Sequence, residues 1–279
     1  MPKVKDVMDW VDAYAPFRFS AGWDRCGLQV GDPEAELSRL LVALDPGSTT
    51  LGEALSLKCQ CVVTHHPLIF QPLESVRADV FPGKLIMTAV REGISLICAH
   101  TNLDAARAGT NEQLARVFAL QGVTPLEIDA AWQDEPRYAG MGCVGELPAE
   151  MSLDGLASFA AAAMGGGAVR VVGEPGRSVR RVAVCTGSGG GLLDAVITGR
   201  ADVYITGDVK YHDAMRAEEH GLAVIDIGHF SSERVVLQPL AEYLRSRAVG
   251  QEAGLEVFVA RREKDPLRIV GSAVEPLSP

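Results

Sequence analysis

The sequence predicts an α/β fold in which helices flank largely parallel sheets, and three observations support this class. Short, continuous apolar runs, such as residues 40–44 and 94–99, have the pattern of strands that are covered on both faces. These runs alternate with helical stretches, which is the arrangement that produces parallel pairing. The segments LLVALDPG…CVVTHHP and RVAVCTGSGGG…VYITGD share one order of strand, glycine-containing turn, helix and strand. The repeat indicates two related α/β units.

The first half of the chain alternates helix and strand. It begins with a helix whose apolar side chains share one face, namely Val4, Val7, Met8, Val11 and Tyr14. Strands are predicted over residues 40–44, 61–64 and 94–99, with helices between them. Thr110 then opens a helix, with Gln113 as its capping-box partner. The polar, proline-containing sequence at 121–138 breaks the pattern and predicts a crossing into the second unit.

The second half repeats the alternation. Ser152 is predicted to cap an alanine-rich helix that ends at Gly165. The predicted elements that follow are strands at 181–185, 202–206 and 222–227, a glycine-rich turn at 186–191, and a helix at 209–220. Ser231 or Ser232 is predicted to cap a long helix that runs to about residue 247.

Composition and charge limit the classes of function. The 279 residues are 47% hydrophobic and carry a formal net charge of −10, which argues against nonspecific binding to nucleic acid or to anionic membranes. The N-terminus lacks the pattern of a signal peptide, and the most apolar stretch, 156–169, is too short to span a bilayer. We therefore expect a soluble, cytoplasmic protein. The six cysteines form no CxxC pair, so we expect free thiols, buried at Cys61, Cys98 and Cys185.

Histidines and carboxylates gather at the carboxyl ends of the predicted strands, the edge where open α/β sheets bind ligands. These residues are His65, His66, Asp104, His229 and Glu233. Pro67 stiffens the turn after the adjacent histidines, so their rings can serve two neighbouring ions. His229 and Glu233 are four positions apart, at or just before the start of a helix, so both side chains can point toward the same ion.

Imidazole and carboxylate together suit Zn, Mn, Fe, Co or Ni, and a carboxylate can bridge two ions. Two such ions, about 3.5–4 Å apart, can hold a shared hydroxide and polarise a substrate. The sequence therefore predicts two divalent metal ions per chain. A single histidine alone is equally consistent with a structural role, and His220 is expected to have one.

Five stretches resemble the motifs of the GTP cyclohydrolase 1 type 2 homologue family, also called Nif-three-like proteins. They are GWDRCGLQVGD (22–32), VVTHHPLIF (62–70), AHTNLDAARAGTNEQLA (99–115), ITGDVKYHDAM (205–215) and DIGHFSSE (226–233). The resemblance implies that His65 and Asp104 bind one ion and that His66 and His229 bind the other. Glu233 would bridge the two ions and, with the metal-bound hydroxide, would be the catalytic group.

The resemblance also implies two intertwined, related domains with mixed, largely parallel sheets. The metal-binding domain would comprise residues 1–122 and 226–279, and the second, inserted domain residues 123–225. Family members form homohexameric rings, trimers of dimers, with the metal sites facing the cavity. The connection 121–148 is too short for the further domain that some members insert there.

The chain departs from the family pattern at two places. Asp24-Arg25-Cys26 replaces the usual Asp-Asn, which affects any substrate contact in that loop, and Cys143 stands where a basic residue is more usual.

Several polar residues have two open interpretations. His100 is expected to orient Asp104 through a hydrogen bond, and the partner of Asp45 is not identified. One interpretation places Asp208, Lys210 and His212 in the cavity at the metal site, where Lys210 would attract an anionic substrate. The other places them on the surface or in contact with the metal ligands rather than with the substrate. The glycine-rich turn at 186–191 could bind a phosphate through its backbone N–H groups, but it lacks the GK[ST] ending of a P-loop. We therefore favour the interpretation that it is a plain tight turn.

The leading functional hypothesis is a metal-dependent hydrolase that acts on a small, nucleotide-like substrate. The resemblance points to GTP, with opening of its imidazole ring and release of formate. The alternative is a non-catalytic protein that binds or delivers metal, or a regulatory scaffold. A third, weaker hypothesis is an interaction factor in transcription, for which the acidic composition offers no support from DNA binding.

Overall fold

A computed structural model of the chain describes residues 1–138, 140–250 and 254–268. The strands, in chain order, are β1 (Gly27–Val30), β2 (Arg39–Ala43), β3 (Cys61–Thr64), β4 (Ser95–Cys98), β5 (Gln121–Glu127), β6 (Met141–Ser152), β7 (Arg170–Val172), β8 (Ser178–Ser188), β9 (Val203–Gly207), β10 (Ala223–Asp226) and β11 (Glu256–Val259). The α-helices are α1 (Val4–Tyr14), α2 (Ser48–Leu57), α3 (Gly83–Arg91), α4 (Thr101–Ala105), α5 (Thr110–Val117), α6 (Leu153–Ala163), α7 (Leu193–Thr198), α8 (Tyr211–Glu219), α9 (His229–Arg234) and α10 (Leu237–Gly250). Short 3-10 helices lie at Phe17–Phe19 and Gly189–Leu192.

The first sheet has the strand order β1-β4-β3-β2-β11. Strands β4, β3, β2 and β11 are parallel, and β1 is antiparallel to β4. Every residue of β3 and β4 is buried, as their continuous apolar runs predict. In register, Thr64 pairs with both Ala43 and Cys98, so the carboxyl ends of the three central strands are level.

The second sheet has the order β5-β6-β8-β9-β10-β7. Strands β8, β9 and β10 are parallel, whereas β5, β6 and β7 are joined by antiparallel pairing. Two mixed sheets flanked by helices confirm the predicted fold class, although the parallel share is smaller in this sheet. The division into domains at residues 122/123 and 225/226 stays a prediction.

The chain passes back and forth between the two sheets. Helix α5 precedes the second sheet, yet its Leu114 packs with that sheet's Val184 in one core cluster. After β10, α10 packs against α1 through Leu240 and Val7, and β11 pairs with β2 of the first sheet. Elements from both sheets therefore meet near the start of α9.

Most predicted strands are confirmed within one or two residues, and α5 begins at Thr110 as predicted, but the predicted cap of α5 and the predicted long helix near residue 231 are not confirmed. Gly109, not Thr110, is the N-cap of α5, and no side-chain cap forms there. The long helix expected after Ser231 or Ser232 is two helices, of which α9 already begins at His229. The Ser152 cap is confirmed, since its hydroxyl accepts from Gly155 N at 3.1 Å.

The six cysteines are free, and Cys61, Cys98 and Cys185 are buried as predicted. Among the described residues, no helix has the length and apolar character needed to cross a membrane.

Candidate metal site

The five predicted ligands converge at the carboxyl end of β3 and β4. His65 and His66 directly follow β3, and the strand pairing continues through them, because their backbone N–H groups donate to Ala43 O at 3.2 Å and Leu44 O at 2.9 Å. Asp104 lies in α4, which follows β4 after two residues. The sheet pairing thus fixes the backbone of His65 and His66, and Asp104 lies at the same edge of the sheet because α4 follows β4 so closely.

The other two residues arrive from the second sheet. Chain direction changes sharply between β10 and α9 at Gly228, whose φ of 82° is a conformation that glycine adopts without strain. Helix α9 then presents His229 and Glu233 one turn apart, on the side that faces β3.

Glu233 lies at the centre of the cluster. Its Oε1 is 3.5 Å from His65 Nε2, while its Oε2 is 3.0 Å from His66 Nε2 and 3.1 Å from His229 Nε2. Asp104 Oδ1 lies 3.7 Å from His65 Nε2, and the Nε2 atoms of His66 and His229 are 3.4 Å apart. We call His65 with Asp104 the inner pair and His66 with His229 the outer pair; each faces one oxygen of Glu233.

A second nitrogen on each imidazole is held by a hydrogen bond, which orients Nε2 toward the centre. His65 Nδ1 donates to Ala99 O at 3.0 Å. The outer rings are held by carboxylates: His66 Nδ1 donates to Asp45 Oδ1 and His229 Nδ1 to Asp208 Oδ2, both at 2.8 Å. Asp208 was a predicted site residue; the role of Asp45 was not identified from the sequence.

Two buried polar atoms at the centre lack hydrogen bonds. Among the residues that the structure describes, His65 Nε2 and Glu233 Oε2 have no partner in hydrogen-bond geometry, although imidazole nitrogens lie close to the carboxylate. A buried polar atom left in this state costs free energy. A divalent cation would accept electron pairs from both atoms, so the residues present fit a metal ion.

The charges of the cluster also favour a cation. Burial alone would lower the pKa of His66, but the hydrogen bond to Asp45 and the negative charge of Glu233 outweigh it and raise that pKa to about 10. The carboxylate of Glu233, 3.1 Å from His229 Nε2, raises the pKa of His229 to about 9. Burial opposes ionisation of Glu233, yet the surrounding imidazoles hold its pKa well below the ordinary value. The carboxylates thus hold positive charge in this space, as protons or as metal.

The glycine-rich turn after β8 makes room for Glu233. Gly187 has a φ of 65°, and a Cβ built there would lie 2.3 Å from Glu233 Oε1. Its N–H donates to Ser232 Oγ at 2.8 Å, and Gly189 N donates to Thr206 Oγ1 at 3.1 Å. These N–H groups are used inside the protein, which supports the plain-turn interpretation over phosphate binding.

A chain of buried hydroxyls joins the second sheet to the inner pair. Thr186 Oγ1 donates to Thr110 Oγ1 at 2.8 Å, and Thr110 Oγ1 donates to Asp104 Oδ1 at 2.6 Å. Asn111 lies beside them, donating through Nδ2 to Asp104 O and accepting at Oδ1 from Thr186 N, both at 3.0 Å. The threonine predicted to cap α5 therefore orients a proposed ligand instead.

The remaining predicted residues lie around this centre. His100 contacts the adjacent imidazoles, but its Nδ1 donates to Asp24 Oδ1 at 3.0 Å, so the predicted hydrogen bond to Asp104 is wrong. Lys210 and His212 are exposed at the start of α8. His220 is exposed and bonds to Arg216 O through Nδ1, as a structural histidine would.

Comparison with known proteins gives a consistent result. The family model Duf34/NIF3 (NGG1p interacting factor 3) matches residues 2–266. The GTP cyclohydrolase 1 type 2 homolog of Streptomyces coelicolor is 37% identical over 269 residues, covering 95% of this chain and 94% of that protein. Its counterpart from Clostridium perfringens is 30% identical over 268 residues, with coverage of 96% and 100%.

Solved structures agree with these matches. A Bacillus cereus protein related to NIF3 superposes with a TM-score of 0.89 at 23% identity, covering 96% of this chain and 99% of that one, which shows the fold. Reduced HcgD from Methanocaldococcus jannaschii gives a TM-score of 0.77 at 29% identity, covering 92% and 97%. The resemblance found in the five motifs is confirmed.

Proposed function

The chain belongs to the Duf34/NIF3 family, and we propose that it holds two divalent metal ions and is a metal-dependent hydrolase. Two observations support this proposal. The Nε2 atoms of three imidazoles lie within 3.5 Å of the carboxylate of Glu233. Among the described residues, His65 Nε2 and Glu233 Oε2 are buried and have no hydrogen-bond partner. Nitrogen and oxygen donors of this kind suit Zn, Mn, Fe, Co or Ni.

The inner pair would hold one ion and the outer pair the other, with Glu233 bridging. Each oxygen of Glu233 faces a different pair, which supports this assignment. Bound divalent ions supply Lewis-acid activation of water and of a substrate oxygen. The protein's own groups would orient the imidazoles through Ala99, Asp45 and Asp208 and would keep water from the buried inner pair.

The substrate class is taken from the names of the relatives. Proteins named GTP cyclohydrolase 1 type 2 homolog suggest a nucleotide-like molecule, and for this chain that remains part of the proposal. His100, whose ring lies 5.6 Å from that of His66, could donate a hydrogen bond to a substrate, and Lys210, two residues after Asp208 in the chain, could attract its negative charge. The homohexameric ring is likewise proposed, and light scattering should give a mass of six 29.7-kDa chains.

A second candidate is metal delivery, for which the exposure of the outer pair is the supporting observation. The side chains of His66 and His229 are 22% and 35% exposed, while that of His65 is fully buried. An ion on the outer pair would thus be accessible to an acceptor protein.

The test is elemental analysis followed by turnover with the metal-loaded chain. We expect about two equivalents of zinc or manganese and hydrolysis of GTP or another nucleotide. Glu233→Gln should abolish both, because a neutral amide cannot bridge two cations, while Glu218→Gln on the exposed side of α8 should retain them. Metal binding with no turnover, and transfer to an acceptor, would favour delivery. Less than one equivalent of metal would rule out the proposed site.

A further inference from the structure

Two large aromatic side chains are exposed beside the proposed metal site. Trp23 is 58% exposed and Phe70 is 45% exposed. Their rings contact edge to face, with centroids 5.8 Å apart and planes at 64°. Leaving two adjacent rings in water forgoes the stabilisation that burial gives, and paired exposed aromatics are typical of surfaces that bind a ligand.

The aromatic pair is continuous with the cluster of imidazoles. The Trp23 ring lies 6.2 Å from the ring of His100, and the His100 ring lies 5.6 Å from His66 and 5.1 Å from His65. A row of rings thus leads from the exposed surface to the outer and inner pairs. A small molecule with one group at the metal site can lay its remainder on Trp23.

The loops that carry the two rings are tied together by one side chain. Gln29 Oε1 accepts from Leu68 N at 2.7 Å and Ile69 N at 3.0 Å, next to Phe70. Its Nε2 donates to Arg25 O at 2.7 Å, two residues from Trp23. Gln29 lies in β1, within the first sheet, so both loops are fixed to a rigid element. The pair is therefore preorganised, which lowers the entropy cost of binding.

We propose that Trp23 and Phe70 form a subsite for a planar ring, aromatic or heteroaromatic, carried by the substrate of the metal site. The inference rests on the proposed function, because it takes the reacting group to be held by the inner and outer pairs. Aromatic faces stack on planar rings of many kinds, whereas the negative face of an aromatic ring does not attract an anionic phosphate. The imidazole of His100 adds a polar neighbour, which favours a ring that carries nitrogen or oxygen atoms.

The experiment uses the full chain labelled with 5-fluorotryptophan and followed by fluorine NMR. The three tryptophans give separate signals, and Trp10 in the core and Trp132 beside Phe19 are internal controls. Zinc-loaded and metal-free protein are titrated with adenosine, uridine and ribose. We expect a saturable shift of the Trp23 signal alone with both nucleosides and no shift with ribose.

Matched variants test the role of Phe70. Phe70→Leu should weaken nucleoside binding at least about fivefold, the effect of losing one stacking partner. Phe159→Leu, the same change at a ring that is 46% exposed on α6, should leave it unchanged. Equal effects of the two variants, or no Trp23 response to either nucleoside, would overturn the proposal. So would a Trp23→Leu protein that binds nucleoside normally but changes its oligomeric mass, since the rings would then be a subunit contact.

Zinc content of the same samples separates this inference from the proposed function. Two equivalents of zinc with no Trp23 response count against the ring subsite alone. Less than one equivalent of zinc counts against the proposed function, whatever the Trp23 signal of the metal-free protein shows.

Discussion

The inner and outer pairs share Glu233, but the fold holds them in different ways. The inner pair is buried; the ring of His65 is held by the carbonyl of Ala99, and the carboxylate of Asp104 is held by the hydroxyl chain from Thr186. The outer pair is partly exposed, and its rings are fixed by Asp45 and Asp208, whose carboxylates are themselves about half exposed. One half of the site is therefore built into the core and the other half lies at its surface.

Because of this difference, we expect the two pairs to hold their ions with different strength and exchange rate. Hydrogen bonds made in the interior are not weakened by competing water, so the inner pair should keep a fixed geometry. The outer pair is open to water, since the side chain of His66 is 22% exposed, and the ring of His66 also lies 5.6 Å from that of His100. We expect the inner ion to be retained and the outer ion to exchange and to meet the substrate.

The largest effect should come from removing one imidazole of each pair in turn. His65→Asn should lower the affinity for the inner ion by more than about 100-fold, which exceeds the loss of affinity seen for residues that only orient a ligand. His229→Asn should leave one tightly held ion. Zinc content and the rate of zinc release to a chelator measure both effects. Equal release rates of the two ions from the unmodified protein would contradict the comparison.

Gly187→Ala should affect both pairs, because the new Cβ would displace the carboxylate that they share. It would lie 2.3 Å from Glu233 Oε1, on a residue with φ of 65°. We expect zinc affinity to fall about tenfold or more at both positions and the free energy of unfolding to fall by about 1–3 kcal/mol. Gly191→Ala is the control, since a Cβ there meets nothing within 4 Å. Calorimetric titration measures the zinc affinity and urea unfolding measures the stability. Identical behaviour of the two variants would refute the idea that Gly187 makes room for the carboxylate of Glu233.

Thr110→Val should act on the inner pair alone. The change keeps the shape of the side chain but removes the hydroxyl that donates to Asp104 Oδ1. We expect the inner ion to bind about tenfold more weakly, with the outer ion unchanged. Thr186→Val, one hydrogen bond further away, should have a smaller effect. Cobalt absorption spectra can follow the two ions separately, and a greater loss for the outer ion would be the contrary result.

The smallest effect on metal content should come from replacing Asp24, which accepts a hydrogen bond from His100 and belongs to neither pair. Burial would raise its pKa, but hydrogen bonds from His100 and Thr101 prevail and hold the pKa below the ordinary value. A lowered folded-state pKa stabilises the protein at neutral pH, and this contribution is lost as pH falls below about 4 toward the folded value.

Asp24→Asn should therefore lower the urea midpoint at pH 7 and should reduce the further loss of stability in acid, with zinc content unchanged. Asp9→Asn, on the exposed side of α1, is the matched control. An acid sensitivity that is the same in both variants would argue against this role for Asp24.

The sequence was sufficient to predict the parts that depend on local pattern. The buried runs of β3 and β4 are continuous and apolar, so their ends, and hence His65, His66 and Asp104, could be placed in advance. Strand β6 was missed, because glycine and proline interrupt its sequence and its pairing with β8 comes from the sheet. The assignment of ions to the ligands remains a prediction that calls for metal analysis.

The supporting residues could not be predicted, because their partners are far apart along the chain. Asp45 orients an imidazole only because the fold brings His66 beside it. The sequence around Thr110 predicts a helix cap, whereas in the structure its hydroxyl donates to Asp104. Gly187 looks like any glycine in a turn, and the reason for it is Glu233, 46 positions later in the sequence.

The turn that carries Asp45 is itself anchored from the far end of the chain. Glu263 accepts hydrogen bonds from Leu44 N, from Asp45 N, 218 positions away, and from Thr50 Oγ1. During translation, a nascent chain that has exposed β1 to β4 already carries both adjacent histidines, but it lacks this anchor. We therefore expect the outer pair to be completed only after Glu263 has left the ribosome, so that the proposed outer ion would be captured after that point.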